Sequence, residues 1–171
     1  MPPIVLIVGR SKSGKTTLIE KLVPELKSRG YRVAAVKHAV HSLNLDDSGK
    51  DSWRYAQAGS DAVAMISTDK IVLIMPKTGA FALDQIARLL GEDCDIILAE
   101  GFKQSNVSKV QVHRKEVGPL FSSVTKVMAI VTNEYLETNK RQFAPDDIKG
   151  LVDLLERGFL KKGASPTQIE G

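Results

Sequence analysis

One cysteine, Cys94, stands among 171 residues. That excludes an internal disulfide and any paired-cysteine zinc site, and it suits a reducing compartment. Aromatic residues make up only 5% of the chain, and although the formal net charge is +4, no run of five like charges occurs. Dispersed cations with little aromatic interleaving provide neither the stacking platform nor the basic stripe of a nucleic-acid binder, and no polybasic segment for a membrane surface. Long apolar runs are missing too. The opening MPPIVLIVGR carries about six apolar residues before a glycine-rich turn, too few for a secretory h-region or for the ~20 that span a bilayer. These absences lead to the expectation of a cytoplasmic chain whose simplest partner is a small polyanion.

What is present is enough hydrophobic content, 43%, to build one continuous core. The expectation is a single domain over 1–158 followed by a polar tail over 159–171. Ile4 to Val8 is an unbroken β-branched and leucine run, the pattern of a strand buried on both faces of a parallel sheet. Further strand-like runs are Arg32–Lys37, Ala62–Ser67, Ile71–Met75, Asp95–Ala99, Val110–His113 and Val127–Thr132. Leu18, Leu22 and Leu26, at i, i+4 and i+8, predict a helix that starts inside the glycine-rich turn and runs to about Arg29, with Pro24 expected to kink or split it. Shorter helices are predicted over Ser52–Ala58, capped by Asp51 or Ser52, over Leu83–Leu90, and over Asp146–Glu156 with Gly158 beyond it. Alternating strands and helices argue for an α/β three-layer sandwich with a mostly parallel sheet. The runs at 62–67 and 71–75, three residues apart, read as an antiparallel edge hairpin.

The strongest chemical signal is Gly9-Arg10-Ser11-Lys12-Ser13-Gly14-Lys15-Thr16. It matches G-x-x-x-x-G-K-[ST] at every fixed position, directly after a predicted strand and opening a predicted helix, the context of a P-loop. Gly9 and Gly14 permit the torsions and close approach that let successive N–H groups surround phosphates. Lys15 reaches the β and γ phosphates, the Thr16 hydroxyl is a hard oxygen ligand for Mg²⁺, and the helix N-terminus favours the anion. The segment from Gly9 to Thr17 is therefore the expected site for the phosphates of ATP or GTP.

Such a loop needs an acidic partner for the metal. Asp95-Ile96-Ile97-Leu98-Ala99-Glu100-Gly101 delivers Glu100 to the carboxyl edge of the sheet, where α/β ligands bind, either to hold Mg²⁺ through water or to orient an attacking water. The polar stretch after the second strand, from Lys37 to Ser52, is the expected place for further ligand contacts. In it, Asp46 is a candidate second carboxylate near the metal, or simply part of the turn chemistry of Asp47-Ser48-Gly49. His38 and His41 lack a third ligand at suitable spacing, so hydrogen-bonding roles are favoured over a transition-metal site. Lys50 and Arg54 are candidates for phosphate or carboxylate pairing.

GRSKSGKTT, KHAVHSLNLDDSGKDSWRYAQAG and DIILAEGFK, in that order, resemble the MobB family of molybdopterin-guanine dinucleotide biosynthesis adaptor proteins over roughly residues 3–135. The resemblance implies a P-loop fold, a homodimer, and GTP binding with slow Mg²⁺-dependent hydrolysis. It also implies assistance to a MobA-like nucleotidyltransferase that attaches GMP to molybdopterin, and it leaves open whether molybdopterin itself touches this chain. By the same resemblance Gly9 to Thr17 hold the nucleotide, Lys15, Glu100 and Asp46 serve catalysis, and Thr16, Glu100 and Asp46 serve the metal. Two positions depart from the family pattern. Val40 stands where a further histidine is frequent, and Thr132-Asn133 where an aspartate is frequent, so no residue is assigned to guanine itself. Two rival functions share the same phosphate loop. A small-molecule kinase would need a lid rich in arginine, and the arginines here are scattered. A metal-delivery GTPase would need His38, His41 and a third ligand such as Cys94.

Overall fold

The computed structural model describes residues 1–39, 49–75, 83–91 and 93–160. Within them two compact units form, one from Met1–His38 with Ile86–Gly171, the other from Ala39–Gln85. In the larger unit the first apolar run becomes β1 (Ile4–Gly9), flanked by β5 (Ile96–Glu100) on one side and β6 (Lys109–Val112) on the other. β2 (Val33–Lys37) lies outside β5, and β7 (Val127–Val131) and β8 (Arg141–Phe143) follow β6, giving the order β2-β5-β1-β6-β7-β8. Every pairing in this sheet is parallel. All six strands therefore point their carboxyl ends to one edge, and the register sets Glu100 beside Ile7 and Lys37, and Gly9 beside Val112.

Side chains alternate across a strand, so Val5 and Ile7, Ile96 and Leu98, Val110 and Val112, and Ala129 and Val131 share one face. Against that face pack Leu18, Leu22 and Leu26 of α1 (Lys15–Ser28) and Leu151, Val152 and Leu155 of α4 (Ile148–Phe159). The three α1 leucines lie on one stripe because i and i+4 face the same way. Arg29 ties the two helices further, donating from Nη1 to Asp153 at 2.6 Å and Glu156 at 2.7 Å and from Nε to Glu25 at 2.9 Å. These contacts fix the direction of α1 and so the aim of its N-terminus.

Several expectations need correction. α1 is not split: it runs unbroken from Lys15 to Ser28 with Pro24 inside. Pro24 faces solvent, so its ring loses one backbone hydrogen bond on the wet side while the leucine stripe spans the gap. α4 passes through Gly158 to Phe159, because Phe159 packs on the core and Leu160 is buried, which outweighs a glycine cost of about 1 kcal/mol. Its N-cap is Asp147, whose carboxylate accepts from Gly150 N–H at 3.1 Å. β8 went unforeseen, since Arg141-Gln142-Phe143 is short and mostly polar. Of the polar tail expected over 159–171, Phe159 and Leu160 thus join the helix and the core, and residues 161–171 lie outside the described residues.

In the smaller unit α2 (Asp51–Gln57) is preceded by Lys50 in extended conformation, with no side-chain cap from Asp51 or Ser52. β3 (Val63–Ile66) and β4 (Ile71–Ile74) form the expected antiparallel hairpin as a two-stranded sheet of its own. Its turn is closed by Ser67, whose Oγ accepts from Lys70 N–H at 3.0 Å. α3 (Leu83–Leu90), which belongs to the larger unit from Ile86 onward, has the expected bounds and ends at Gly91, whose φ of 63° is left-handed.

Candidate functional site

The glycine-rich segment forms a tight loop between β1 and α1. Gly14 caps α1 at φ 95°, and Lys12 also adopts a left-handed φ of 62°. Gly9 is required by packing: an added Cβ would stand 2.4 Å from the Val112 carbonyl oxygen and 2.6 Å from Ser13 Oγ. Ser13 is buried, and its Oγ has no hydrogen-bond partner among the described residues. Its N–H donates to Arg10 O at 3.3 Å, and the first intrahelical bond, Leu18 N–H to Gly14 O, comes at 2.9 Å. The opening amides of α1 have no partner inside the helix by construction. An unpaired buried hydroxyl beside unpaired amides at a helix N-terminus fits phosphate oxygens, which accept from both.

Lys15 and Thr16 open α1 and meet Glu100 at the end of β5. Thr16 Oγ1 donates to Glu100 Oε2 at 3.0 Å, and Lys15 Nζ lies 3.8 Å from Glu100 Oε1 while donating to Arg10 O at 2.7 Å. Burial pulls the Lys15 ammonium below its ordinary value near 10.5; Glu100 opposes that shift, and Lys103 and Lys37 add to it. Thr16 and Glu100 supply two hard oxygens side by side, the donor chemistry that Mg²⁺ prefers. An open groove of about 430 Å³, lined by Thr16, Ile19, Val23, Val36, Lys37 and Glu100 among others, adjoins this pair. The glycine after Glu100 has a structural reason: Gly101 has φ 106°, and a Cβ there would stand 2.8 Å from His38 Cβ. His38 donates its N–H to Glu100 O at 3.0 Å and stacks its ring on Phe102 at 4.6 Å.

On the other side of β1, the loop after β6 packs on the phosphate loop. Arg10 Nε donates to Pro119 O at 2.8 Å, and its guanidinium lies 4.7 Å from the Phe121 ring centre, with Lys103 Nζ 4.3 Å from the same ring. Each pairing is a cation–π contact. An added Cβ on Gly14 would lie 3.5 Å from Arg114. Beyond Arg114 is a pair that sequence reasoning missed: His113 Nε2 lies 2.8 Å from Glu134 Oε1, with His113 buried. Its only sequence signal is that each residue falls just past the end of a parallel strand.

Of the remaining predicted residues, Ser11, Lys12 and Thr17 are exposed on or beside the loop. Asp46 and His41 lie outside the described residues, as does Val40. His38 and Cys94 cannot share a metal. His38 follows the carboxyl end of β2, Cys94 precedes the amino end of β5, and the two strands run parallel in register, which separates these residues by more than ~15 Å at about 3.3 Å per residue. Among the described residues no group of three or more His, Cys, Asp or Glu could hold a metal ion. Arg54 is exposed and pairs with Asp51 at 3.4 Å. Arg29 and Arg32 are committed to carboxylates, so neither is available as a lid cation. No described helix is long and apolar enough to cross a membrane.

Residues 4–133 match the model of the family described as "Molybdopterin guanine dinucleotide synthesis protein B". The chain is 37% identical to a molybdopterin-guanine dinucleotide biosynthesis adapter protein of Haemophilus influenzae, over 90% of this chain and 88% of that one. It is 29% identical to the Escherichia coli protein of the same description, over 95% and 96%. Its fold matches the crystal structure of Bacillus subtilis MobB with a TM-score of 0.73 at 29% identity, covering 94% of this chain and 99% of that one.

Proposed function

The chain belongs to the molybdopterin guanine dinucleotide synthesis protein B family, and from that premise we propose that it is a GTP-binding adapter in the biosynthesis of that cofactor. Its nucleotide site is Gly9 to Thr17, and its partner is a MobA-like nucleotidyltransferase. The observation that carries this reading is the meeting of Lys15 and Thr16 with Glu100 at one corner of the sheet. A phosphate loop alone holds an anion; a phosphate loop whose lysine and threonine converge on a strand-end carboxylate has the parts for a triphosphate with its metal.

Loop amides and Ser13 take the phosphate oxygens, and Lys15 exchanges its bond to Arg10 O for the β and γ oxygens. Thr16 and Glu100 would hold Mg²⁺, which would offset charge on those oxygens, with Glu100 either binding the metal through water or orienting the attacking water. Hydrolysis is slow, as suits a protein whose nucleotide state regulates docking more than turnover. Cys94 as the sole cysteine agrees with work in the cytoplasm.

The chain acts as a homodimer. Support comes from the β3–β4 hairpin, where Ile66 and Ile71 are 78% and 74% exposed and Leu73 and Met75 are also exposed. Ile66, Ile71 and Leu73 line one face of the two-stranded ribbon and Met65 and Val72, also exposed, the other, and apolar side chains on both faces call for a cover. Ile66→Lys with Ile71→Lys should convert a dimer to a monomer by light scattering.

Titration calorimetry with GTP and ATP, with and without Mg²⁺, tests the nucleotide reading. Mg²⁺-dependent binding that favours GTP is expected, and a folded protein that binds neither would overturn it. Stimulation of GMP transfer to molybdopterin in a reconstituted reaction tests the adapter role.

A further inference from the structure

From Phe102 to Lys126 the chain carries five lysines and arginines against one acid, Glu116. That acid is already engaged, since Asn133 Nδ2 donates to both its oxygens at 3.0 Å. Lys103 and Lys126 are exposed, and Arg10 joins them through Phe121, whose ring it shares with Lys103. Among the described residues these three cations have no carboxylate partner, whereas Arg29, Arg32, Arg54 and Lys70 each have one.

The cations stand on a frame of two tied loops, one before β6 and one after it. Buried Lys109 holds Ser105 O and Val107 O of the first and Thr125 O of the second. Lys126 Nζ donates to Asn106 O at 3.1 Å, and Gln111 Nε2 to Phe121 O at 3.0 Å. The frame also holds backbone strain. Among the described residues the non-glycine positions with left-handed torsions are Lys12, Phe102 and Lys126, at φ of 62°, 51° and 56°. One is in the phosphate loop, and the other two stand at the outer ends of the paired loops. Side-chain-bearing residues keep such torsions where their surroundings impose them, and working surfaces are the common place.

We propose that these two loops, with Arg10, form the surface on which a partner protein docks through an acidic segment, and that an anion in the phosphate loop weakens that docking. The existence of the partner rests on the adapter reading above. An extended segment sets every second side chain on one side, about 7 Å apart, and so offers a row of carboxylates to separated, unpaired cations. Nucleic acid fits less well, because stacking needs open aromatic faces. The two aromatic rings of this stretch are taken: Phe121 by Arg10 and Lys103, and Phe102 by His38.

Arg10 links the surface to the phosphate loop. Its Nε donates to Pro119 O at 2.8 Å, and its carbonyl receives Lys15 Nζ at 2.7 Å and Ser13 N–H at 3.3 Å. A phosphate that draws Lys15 away releases that carbonyl, and its charge arrives within about a Debye length of the Arg10 guanidinium. A bound triphosphate and an acidic segment therefore draw on the same cations, and by linkage each lowers the affinity of the other by the same factor.

The probes are an oligo-glutamate peptide, an oligo-lysine peptide, a single-stranded oligonucleotide and the purified MobA-like nucleotidyltransferase, each titrated against the full chain. The glutamate peptide should bind, the lysine peptide should not, and raising salt from about 0.05 to 0.3 M should cost the glutamate peptide roughly fivefold or more. Lys126→Glu should weaken both the glutamate peptide and the nucleotidyltransferase by roughly tenfold, while GTP affinity stays within about twofold. Lys103→Glu, at an exposed position outside the Asn106 bond, serves if Lys126→Glu does not fold. Saturating GTP or inorganic triphosphate, with Mg²⁺, should weaken the peptide by roughly threefold or more. Nucleotidyltransferase binding that a folded charge-reversed variant leaves at the parental level would overturn the inference, as would an oligonucleotide that binds more tightly than the glutamate peptide. Peptide binding that neither triphosphate alters would overturn the coupling. A parent that binds the glutamate peptide but not the nucleotidyltransferase would support the surface and overturn the adapter reading.

Discussion

Replacing Lys15 with alanine removes the ammonium that faces Arg10 O at 2.7 Å and Glu100 at 3.8 Å. In a nucleotide complex this group would trade a carbonyl for phosphate oxygens, so the expected loss is one charge-assisted bond, about 1.5–3 kcal/mol, or roughly 10- to 150-fold in Kd. Two features push the value toward the upper half of that range. The side chain is only 14% exposed, so its charge is poorly solvated before the anion arrives. Lys37 and Lys103 repel it as well, and a polyphosphate relieves that repulsion. Calorimetry with GTP, GDP and GMP reads the effect. The losses should fall on GTP and GDP, while GMP should change by less than about threefold, because the lysine addresses the β and γ positions. The melting temperature should move little, since Leu18, Leu22 and Leu26 hold α1 without help from Lys15. A folded Lys15→Ala protein with parental GTP affinity would refute the reasoning.

Glu100→Gln should keep GTP binding largely intact and slow hydrolysis about tenfold or more; equal rates across a range of Mg²⁺ concentrations would make Glu100 merely structural. Since burial lowers the Lys15 pKa in the free protein and a bound polyanion favours the charged form, GTP affinity should be full below that lowered value. It should fall as pH rises through that value, beginning below the ordinary 10.5; affinity flat up to pH 10.5 would contradict the burial of the ammonium. His41→Ala and Lys50→Ala should reduce cofactor assembly in the reconstituted reaction while changing GTP affinity by less than about threefold. Assembly at the parental rate with both replaced would count against the 38–52 segment as a working surface.

The phosphate loop was legible because its demands are local. Gly14 needs its left-handed torsion, and Lys15 and Thr16 need only the first turn of the helix that begins there. Glu100 was legible for a related reason: four apolar residues before a carboxylate place it at the edge of a buried strand. The His113–Glu134 pair was not, since it depends on two strands lying side by side, and neither residue breaks the local pattern. The same holds for Arg10 on Phe121, a contact between residues 111 apart in number. Of the two outcomes expected at Pro24, a kink or a split, the split does not occur: three leucines on a common core face carry the helix across it.

Lys109 shows how far tertiary structure overrides the local rule. Its side chain is fully buried at the start of β6, and burial, with Lys126 adding, lowers its pKa. An unpaired ammonium there would be costly. Nζ instead donates to Ser105 O at 2.6 Å and to Val107 O and Thr125 O at 3.1 Å. Two of those carbonyls belong to the loop that leaves Glu100 and carries Lys103; the third belongs to the loop that carries Phe121. One cation thus ties the segment that carries Lys103, after Glu100, to the segment whose Phe121 ring meets Arg10 and Lys103. A leucine would fill the space and leave three carbonyls without donors in a dry site, at ~1–3 kcal/mol each. A lysine in a strand core therefore marks the place where the sheet stops being only a scaffold and begins to set the shape of the site.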